Sequence, residues 1–134
     1  MTKPKSKKQK TTRGFNLHSS QFFLTYSKFE LSKEKLLEHI KEIFDKKTRK
    51  KYYISNYIIA NEPYEDQSFH KHVYLKLDRK IRIRKETFFD IKTKDKIYHP
   101  NIQGVRSTKQ VEDYILKYGD YISKYDIDNF KIAK

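Results

Sequence analysis

The chain has 134 residues and a mass of 16.4 kDa, enough for one domain around one hydrophobic core and not comfortably two. Charged residues make up 36% of it and aromatic residues 15%, which is polar for a globular protein yet too aromatic for a disordered one. The absence of cysteine excludes a disulfide scaffold, a thiolate zinc finger and a cysteine nucleophile, while 31 basic against 17 acidic residues give +14 and a pI near 9.8, which disfavours small neutral substrates and favours a polyanion, most simply nucleic acid.

No apolar run approaches the ~20 residues that cross a bilayer, and the basic N-terminus lacks the apolar stretch of a signal peptide. The expectation is an intracellular chain with no membrane partner. Lys3, Lys5, Lys7, Lys8, Lys10 and Arg13 bring six positive charges with no acid among them, so residues 1–14 read as a flexible basic arm and 15–134 as the folded domain. Taking six from +14 leaves +8 on residues 14–134. Lys46, Lys47, Arg49, Lys50 and Lys51 form a second basic cluster, placed as a loop between structured segments, where neutralised phosphates would make binding salt-dependent.

In chain order, Gln21 to Ser27 is aromatic and β-favouring and predicts a first strand. Ser32 is placed to cap a helix of about 14 residues, with Leu36, Ile40, Ile43 and Phe44 as its apolar stripe. Tyr52 to Glu62 predicts a second strand, 63–68 a polar turn, and Phe69 to Leu77 a third strand. Residues 78–96 are charged and ambiguous, with Phe88, Phe89 and Ile91 pinning a short element to the core. Asn101 to Val105 predicts a fourth strand. Ser107 or Thr108 caps a second helix over 109–118 that Gly119 ends, and Tyr121 to Ile127 is a last strand. The order β-α-β-β-β-α-β predicts an α+β fold, a central antiparallel sheet with helices packed on it, of ferredoxin-like or RNA-recognition-motif-like type.

Two places in this frame carry chemistry. His70 and His72 lie two apart on a strand, so both imidazoles project from one face, while Lys71, Val73, Leu75 and Leu77 take the other, which is apolar and core-facing from residue 73 onward. Glu62 ends the preceding strand eight residues before His70, and if it sits opposite His70 its carboxylate joins the histidines. Two imidazoles and a carboxylate leave coordination positions for water and a phosphate oxygen. They would accept Mg²⁺, Mn²⁺, Zn²⁺ or Co²⁺, with Glu65 and Asp66 as rival ligands within the turn. On the second helix Val111, Ile115 and Tyr118 form the buried stripe. Tyr114 lies about 60° off its centre and Lys117 about 60° further, so Tyr114 is a boundary residue whose hydroxyl can reach a cleft. A phenol needs a nearby ammonium or metal to act as a nucleophile at neutral pH; Tyr118 and Tyr121 are alternatives.

Phe22-Phe-Leu-Thr-Tyr-Ser27, Phe69-His-Lys-His-Val-Tyr-Leu75 and Tyr114-Ile-Leu-Lys117, in that order, resemble the three rolling-circle-replication motifs of Rep proteins, the HUH endonucleases of geminiviruses, circoviruses, other small circular single-stranded DNA viruses and related plasmids. Tyr98-His-Pro-Asn-Ile-Gln103 resembles the segment before the tyrosine motif in geminivirus-like Reps. The resemblance implies that Glu62, His70 and His72 hold Mg²⁺ or Mn²⁺ against the scissile phosphate. Tyr114 would attack to leave a 3′-OH and a 5′-phosphotyrosine, with Lys117 assisting at the phosphate. It implies contact between the single strand of an origin stem-loop and Phe22, Leu24, Thr25 and Tyr26, together with Lys71, Asn101 and Gln103. Ser27 stands where proline is common. Full-length Reps usually carry a C-terminal helicase, and its absence here predicts an isolated endonuclease domain or a minimal Rep. Initiators of this family often assemble on DNA, so self-association is a further expectation. Localisation would be the host nucleus for a eukaryotic virus and the bacterial cytoplasm for a plasmid. The rival reading is a non-catalytic single-stranded nucleic-acid-binding module with its aromatic residues as stacking platforms; a basic architectural protein accounts only for the charge.

Overall fold

A computed structural model describes residues 14–63, 69–117 and 119–124. The elements are β1 (Leu17–Tyr26), α1 (Lys33–Lys47), β2 (Ile54–Pro63), β3 (Phe69–Ile83), β4 (Ile91–Lys92), β5 (Ile97–Tyr98), β6 (Asn101–Gly104), α2 (Thr108–Leu116) and β7 (Tyr121–Ser123). Five strands form one sheet in the order β6-β1-β3-β2-β7, antiparallel at every pairing. One helix packs on each face. This is the expected α+β architecture, an antiparallel sheet with two helices arranged as in the HUH endonuclease fold.

Strand alternation separates the two faces. Phe22, Leu24 and Tyr26 of β1, Ile59 of β2 and Val73, Leu75 and Leu77 of β3 are buried together with Leu36, Ile40, Ile43 and Phe44 of α1. Those four residues are the helix stripe read from the sequence. Ser32 caps α1 as predicted, its hydroxyl accepting from the Lys35 amide at 3.1 Å. The out-of-phase residues Ile58, Ala60 and Tyr74 pack beneath Ile115 of α2, with Phe23, Val105 and Val111 around them. Ser107 caps α2, and Gly119 follows it with φ +78°, its amide bonding the Leu116 carbonyl at 3.2 Å. That left-handed conformation favours glycine.

The ambiguous 78–96 segment resolves into a longer β3 and a small hairpin. Ile81 and Ile83 continue the core face and pair with Ser19 and Leu17, so β1 also starts earlier than predicted. The charged residues between these isoleucines hid the alternation. The register slips between Ser19 and Gln21, where the Ser19 hydroxyl bonds the Gln21 backbone and satisfies groups the slip leaves out of the ladder. Phe89 and Ile91 are buried and Phe88 packs on them, which pins β4–β5 to the core as anticipated. The Tyr26 hydroxyl donates to the Phe89 carbonyl at 2.7 Å. The last strand spans Tyr121–Ser123 and stops before Lys124; residues 125–127 of its predicted span lie outside the described residues, as do the arm before Gly14 and the 64–68 turn. Among the described residues no helix is long and apolar enough to cross a membrane.

Candidate active site

Glu62 pairs directly with His70 and Ala60 with His72, so the carboxylate and both imidazoles share the α2 face. The His72 ring is the centre of the arrangement. Its Nε2 lies 2.7 Å from Glu62 Oε1 and its Nδ1 3.2 Å from Thr25 Oγ1. Phe23 stacks on one side of the ring at 5.7 Å, and Tyr114 meets it edge-on at 5.5 Å. Phe23 and Tyr114 also touch each other, at 5.7 Å. A hydroxyl can donate or accept, so Thr25 suits either imidazole tautomer.

His70 is held differently. Its Nδ1 accepts from the Lys28 amide at 3.1 Å. Burial pushes the His70 pKa below the ordinary imidazole value; Glu62 opposes that shift and His72 adds to it. The histidines lie on the face opposite the main core, as predicted, yet both are buried, at 8% and 4% exposure, because α2 covers that face as well.

Helix α2 brings Tyr114 to this face. Thr108 Oγ1 and Tyr74 Oη both donate to Gln21 Oε1 at 2.7 Å, tying the first turn of α2 to β1 and β3. Tyr114 is 40% exposed, the boundary position predicted, and Lys117 Nζ lies 4.2 Å from its ring centroid. Tyr121 packs among the residues beneath α2. Tyr118, Glu65 and Asp66 lie outside the described residues.

The donor types suit a divalent ion: one carboxylate and two imidazoles on one face, with Glu62 and His72 already in contact. Among the described residues, however, no three such side chains stand close enough together to form a metal cage. Holding an ion requires Glu62 and His72 to exchange their mutual hydrogen bond for a shared cation and His70 to join them.

Four of the residues expected to meet DNA are placed elsewhere. Phe22, Leu24 and Tyr26 are fully buried, because every second residue of β1 points into the α1 core. Lys71 is 4% exposed on that same side, and its Nζ donates to the Phe29 carbonyl at 3.2 Å between the rings of Phe29 and Phe69. Burial lowers the Lys71 pKa, Lys33 adds to that and Asp120 opposes it. Thr25 faces the site. Asn101 and Gln103 are exposed on edge strand β6, opposite Thr25 and Phe23. Thr25 and Asn101 also border a groove of about 390 Å³ that reaches Ser27, Glu86 and His99.

Sequence reasoning missed Phe23, although the alternation that buries Phe22 and Leu24 sends Phe23 to the opposite side, where it flanks both His72 and Tyr114. It also missed the Asp120 clamp, whose carboxylate takes Lys33 Nζ at 2.8 Å and Asn61 Nδ2 at 2.7 Å. No local signal marks it, because the three residues come from distant segments.

An antiparallel sheet that juxtaposes a carboxylate–imidazole pair with a helix-borne tyrosine and lysine has the groups for phosphoryl transfer. Residues 15–132 match the family model described as the geminivirus Rep catalytic domain, and the chain belongs to that family. It is 34% identical over 122 residues to Replication-associated protein A of Bean yellow dwarf virus, covering 91% of this chain and 39% of that protein. The same identity over the same length holds for the Replication-associated protein of Bean yellow dwarf virus and for Replication-associated protein A of Tobacco yellow dwarf virus, of which 34% and 38% are covered. The chain thus spans about two fifths or less of the length of these relatives.

Proposed function

We propose that this domain initiates replication by nicking and rejoining single-stranded DNA at a rolling-circle origin, with Tyr114 as nucleophile. Membership of the Rep catalytic family supports the reading, and one observation carries it. His72 touches Glu62 through its nitrogen and Tyr114 through its ring edge, so the ligand face and the nucleophile candidate converge on one imidazole.

Glu62, His70 and His72 would hold Mg²⁺ or Mn²⁺, which when bound polarises the scissile phosphate and offsets its charge. Tyr114 Oη attacks phosphorus and loses its proton to water; an O–P bond forms to the tyrosine as the bond to the 3′ oxygen breaks. That oxygen takes up a proton and leaves as a free 3′-OH, while the 5′-phosphate stays on Tyr114. Lys117 puts an ammonium beside the Tyr114 ring, where it can balance negative charge at the phosphate. Phe23 and His72 limit the positions open to the phenol. Attack by a 3′-OH on the phosphotyrosine reverses the step and rejoins the strand without ATP, because the ester keeps the bond energy. Asn101 and Gln103, exposed along β6, and the groove beside Thr25 offer the strand a path to the site.

The test is cleavage of single-stranded origin-type stem-loop oligonucleotides with Mn²⁺, comparing wild type with Tyr114→Phe. The expected result is a nick with a protein-linked 5′ product that disappears in the variant and on chelation. Salt-sensitive binding without nick or adduct across the set would favour the non-catalytic binding module. Cleavage surviving in Tyr114→Phe would transfer the nucleophile to Tyr118 or Tyr121.

A further inference from the structure

At the end of the β2–β3 pair remote from the histidines, an aromatic ring stands out in water. Ile54 pairs with Leu77 and both join the α1 core. The next pair outward, Tyr53 and Asp78, therefore takes the opposite side of the sheet, the side that carries His70 and His72. Helix α2 covers Ile58, Ala60 and Tyr74 on that side and leaves Tyr53 59% exposed. A single exposed aromatic is ordinary on a protein surface, but this one is fastened. Its carbonyl accepts from the Asp78 amide at 2.9 Å, and its amide donates to Asp78 Oδ1 at 3.0 Å. Just before it, Tyr52 packs on the core with the Arg79 guanidinium 4.4 Å over its ring, and Arg79 Nη2 donates to the Lys51 carbonyl.

The backbone that carries the ring is thus held by a neighbouring strand while the ring stays largely in water, which lowers the cost of ordering it against a flat partner. Its surroundings select the charge of that partner. Arg49, Lys50 and Lys51 precede it and Arg79 and Lys80 follow Asp78, all of them exposed, and Lys51 Nζ lies 6.0 Å from the Tyr53 ring centroid. The one acid among residues 49–53 and 78–80 is Asp78, and its carboxylate serves the Tyr53 amide and, at 3.4 Å, Arg79. A fixed ring in a basic field matches a nucleotide, whose base offers a flat face and whose phosphate offers the charge. A base inside a duplex has both faces covered by its neighbours, so the nucleotide that fits is unpaired.

We propose that Tyr53 is a second contact for single-stranded DNA, remote from the nicking position, where its ring stacks on an unpaired base and Lys51 meets a neighbouring phosphate. Glu62 lies eight residues beyond Ile54 on β2, about 25 Å away at ~3.3 Å per residue. The contact therefore adds affinity for long strands without touching the reacting groups. Every base has a face to stack, so it anchors flanking DNA and does not select the origin. The inference rests on the reading above that the domain acts on single-stranded DNA, and it is independent of the nicking chemistry.

The experiment measures binding of two single-stranded DNA oligonucleotides centred on an origin-type nicking sequence, one of about 20 nucleotides and one of about six, the second too short to reach Tyr53. The protein is the full chain in a Tyr114→Phe background, with Tyr53→Thr, Tyr53→Trp and Lys51→Gln compared across a salt series. Tyr53→Thr keeps a strand-favouring residue at an exposed position, so its melting temperature should match wild type. Its affinity for the long strand should fall about tenfold and that for the short one should not change. The chain has no tryptophan, so Tyr53→Trp supplies a single reporter: its fluorescence should be quenched by the long strand alone, with affinity retained. Lys51→Gln should reduce the slope of log K against log salt by about 0.7 on the long strand, the loss of one phosphate contact. Wild-type affinity for the long strand in Tyr53→Thr, or unquenched fluorescence in Tyr53→Trp, would overturn the contact, and an unchanged slope in Lys51→Gln would remove its phosphate part. Equal quenching by a duplex of the same length would overturn stacking on an unpaired base. A parallel loss of affinity for the short strand would show that residue 53 acts through the fold. Failure of the wild type to bind either strand would overturn this contact and the functional reading together, whereas binding without nicking would defeat the nicking reading alone.

Discussion

The two faces of the central sheet are built from the same strands by alternate residues and have opposite characters. Beneath α1, Phe22, Leu24, Val73 and Leu75 are wholly buried and packed with the helix stripe. Beneath α2 the neighbouring positions hold Phe23, Thr25, Glu62, His70 and His72, and the helix contributes Tyr114. The first face fixes strand register through apolar burial. The second uses that register to hold polar groups that would not assemble by themselves. A residue's distance from the site along the chain is therefore a poor guide to its role; its parity on the strand decides.

The largest effect expected from breaking this division is on the polar face. His72→Gln keeps a donor toward Glu62 but removes the imidazole that links the carboxylate to Tyr114. Single-turnover cleavage of the origin-type oligonucleotide should fall by roughly a hundredfold or more at fixed Mn²⁺, with the far-ultraviolet spectrum unchanged. Cleavage within a few-fold of wild type would mean that the convergence on His72 has no part in the chemistry.

A sharper comparison uses adjacent residues. Leu24→Ala opens a cavity under α1 and should cost about 2–5 kcal/mol of unfolding free energy, leaving cleavage by the folded fraction near normal. Phe23→Leu keeps an apolar side chain and should cost less stability, yet it removes the ring flanking His72 and Tyr114 and should slow cleavage. Denaturant titration read beside single-turnover rates separates the two. Equal losses of stability and rate in both variants would erase the distinction between faces.

That distinction was partly legible in the sequence. The Glu62–His70 pairing followed from turn length and strand period, the α1 stripe from helical spacing, and the exposed edge of Tyr114 from its angle off the buried stripe. Naming Phe22, Leu24 and Tyr26 beside Thr25 as DNA contacts failed because alternation sends the first three together into the α1 core and only Thr25 to the polar face. Lys71 was placed opposite the histidines by alternation and made a DNA contact by the family resemblance, and its burial on the core side follows the alternation. The extension of β3 to Ile83, the register slip at Ser19 and the Asp120 clamp depend on segments that meet only after folding, and no window of the sequence contains them.

The smallest effect concerns the seam between the faces. Asp120, just after α2, joins Lys33 of α1 and Asn61 of β2, and its backbone carbonyl accepts from the Asn61 amide at 2.9 Å. The Lys33 hydrogen bond, and after it the one from Asn61, hold the Asp120 carboxyl below its ordinary value of 3.8. Its folded-state pKa is thus lower than its unfolded one. The clamp's stabilisation is fully present above the unfolded value and is lost as pH falls through the folded one. Asp120→Asn should therefore lower the melting temperature slightly at pH 6, and flatten its decline over the acid range beginning near pH 4. The carboxylate is more than half exposed, so solvent screening keeps the change small. A variant whose melting temperature falls in parallel with wild type through that range would show that the two helices are joined across the sheet by packing alone.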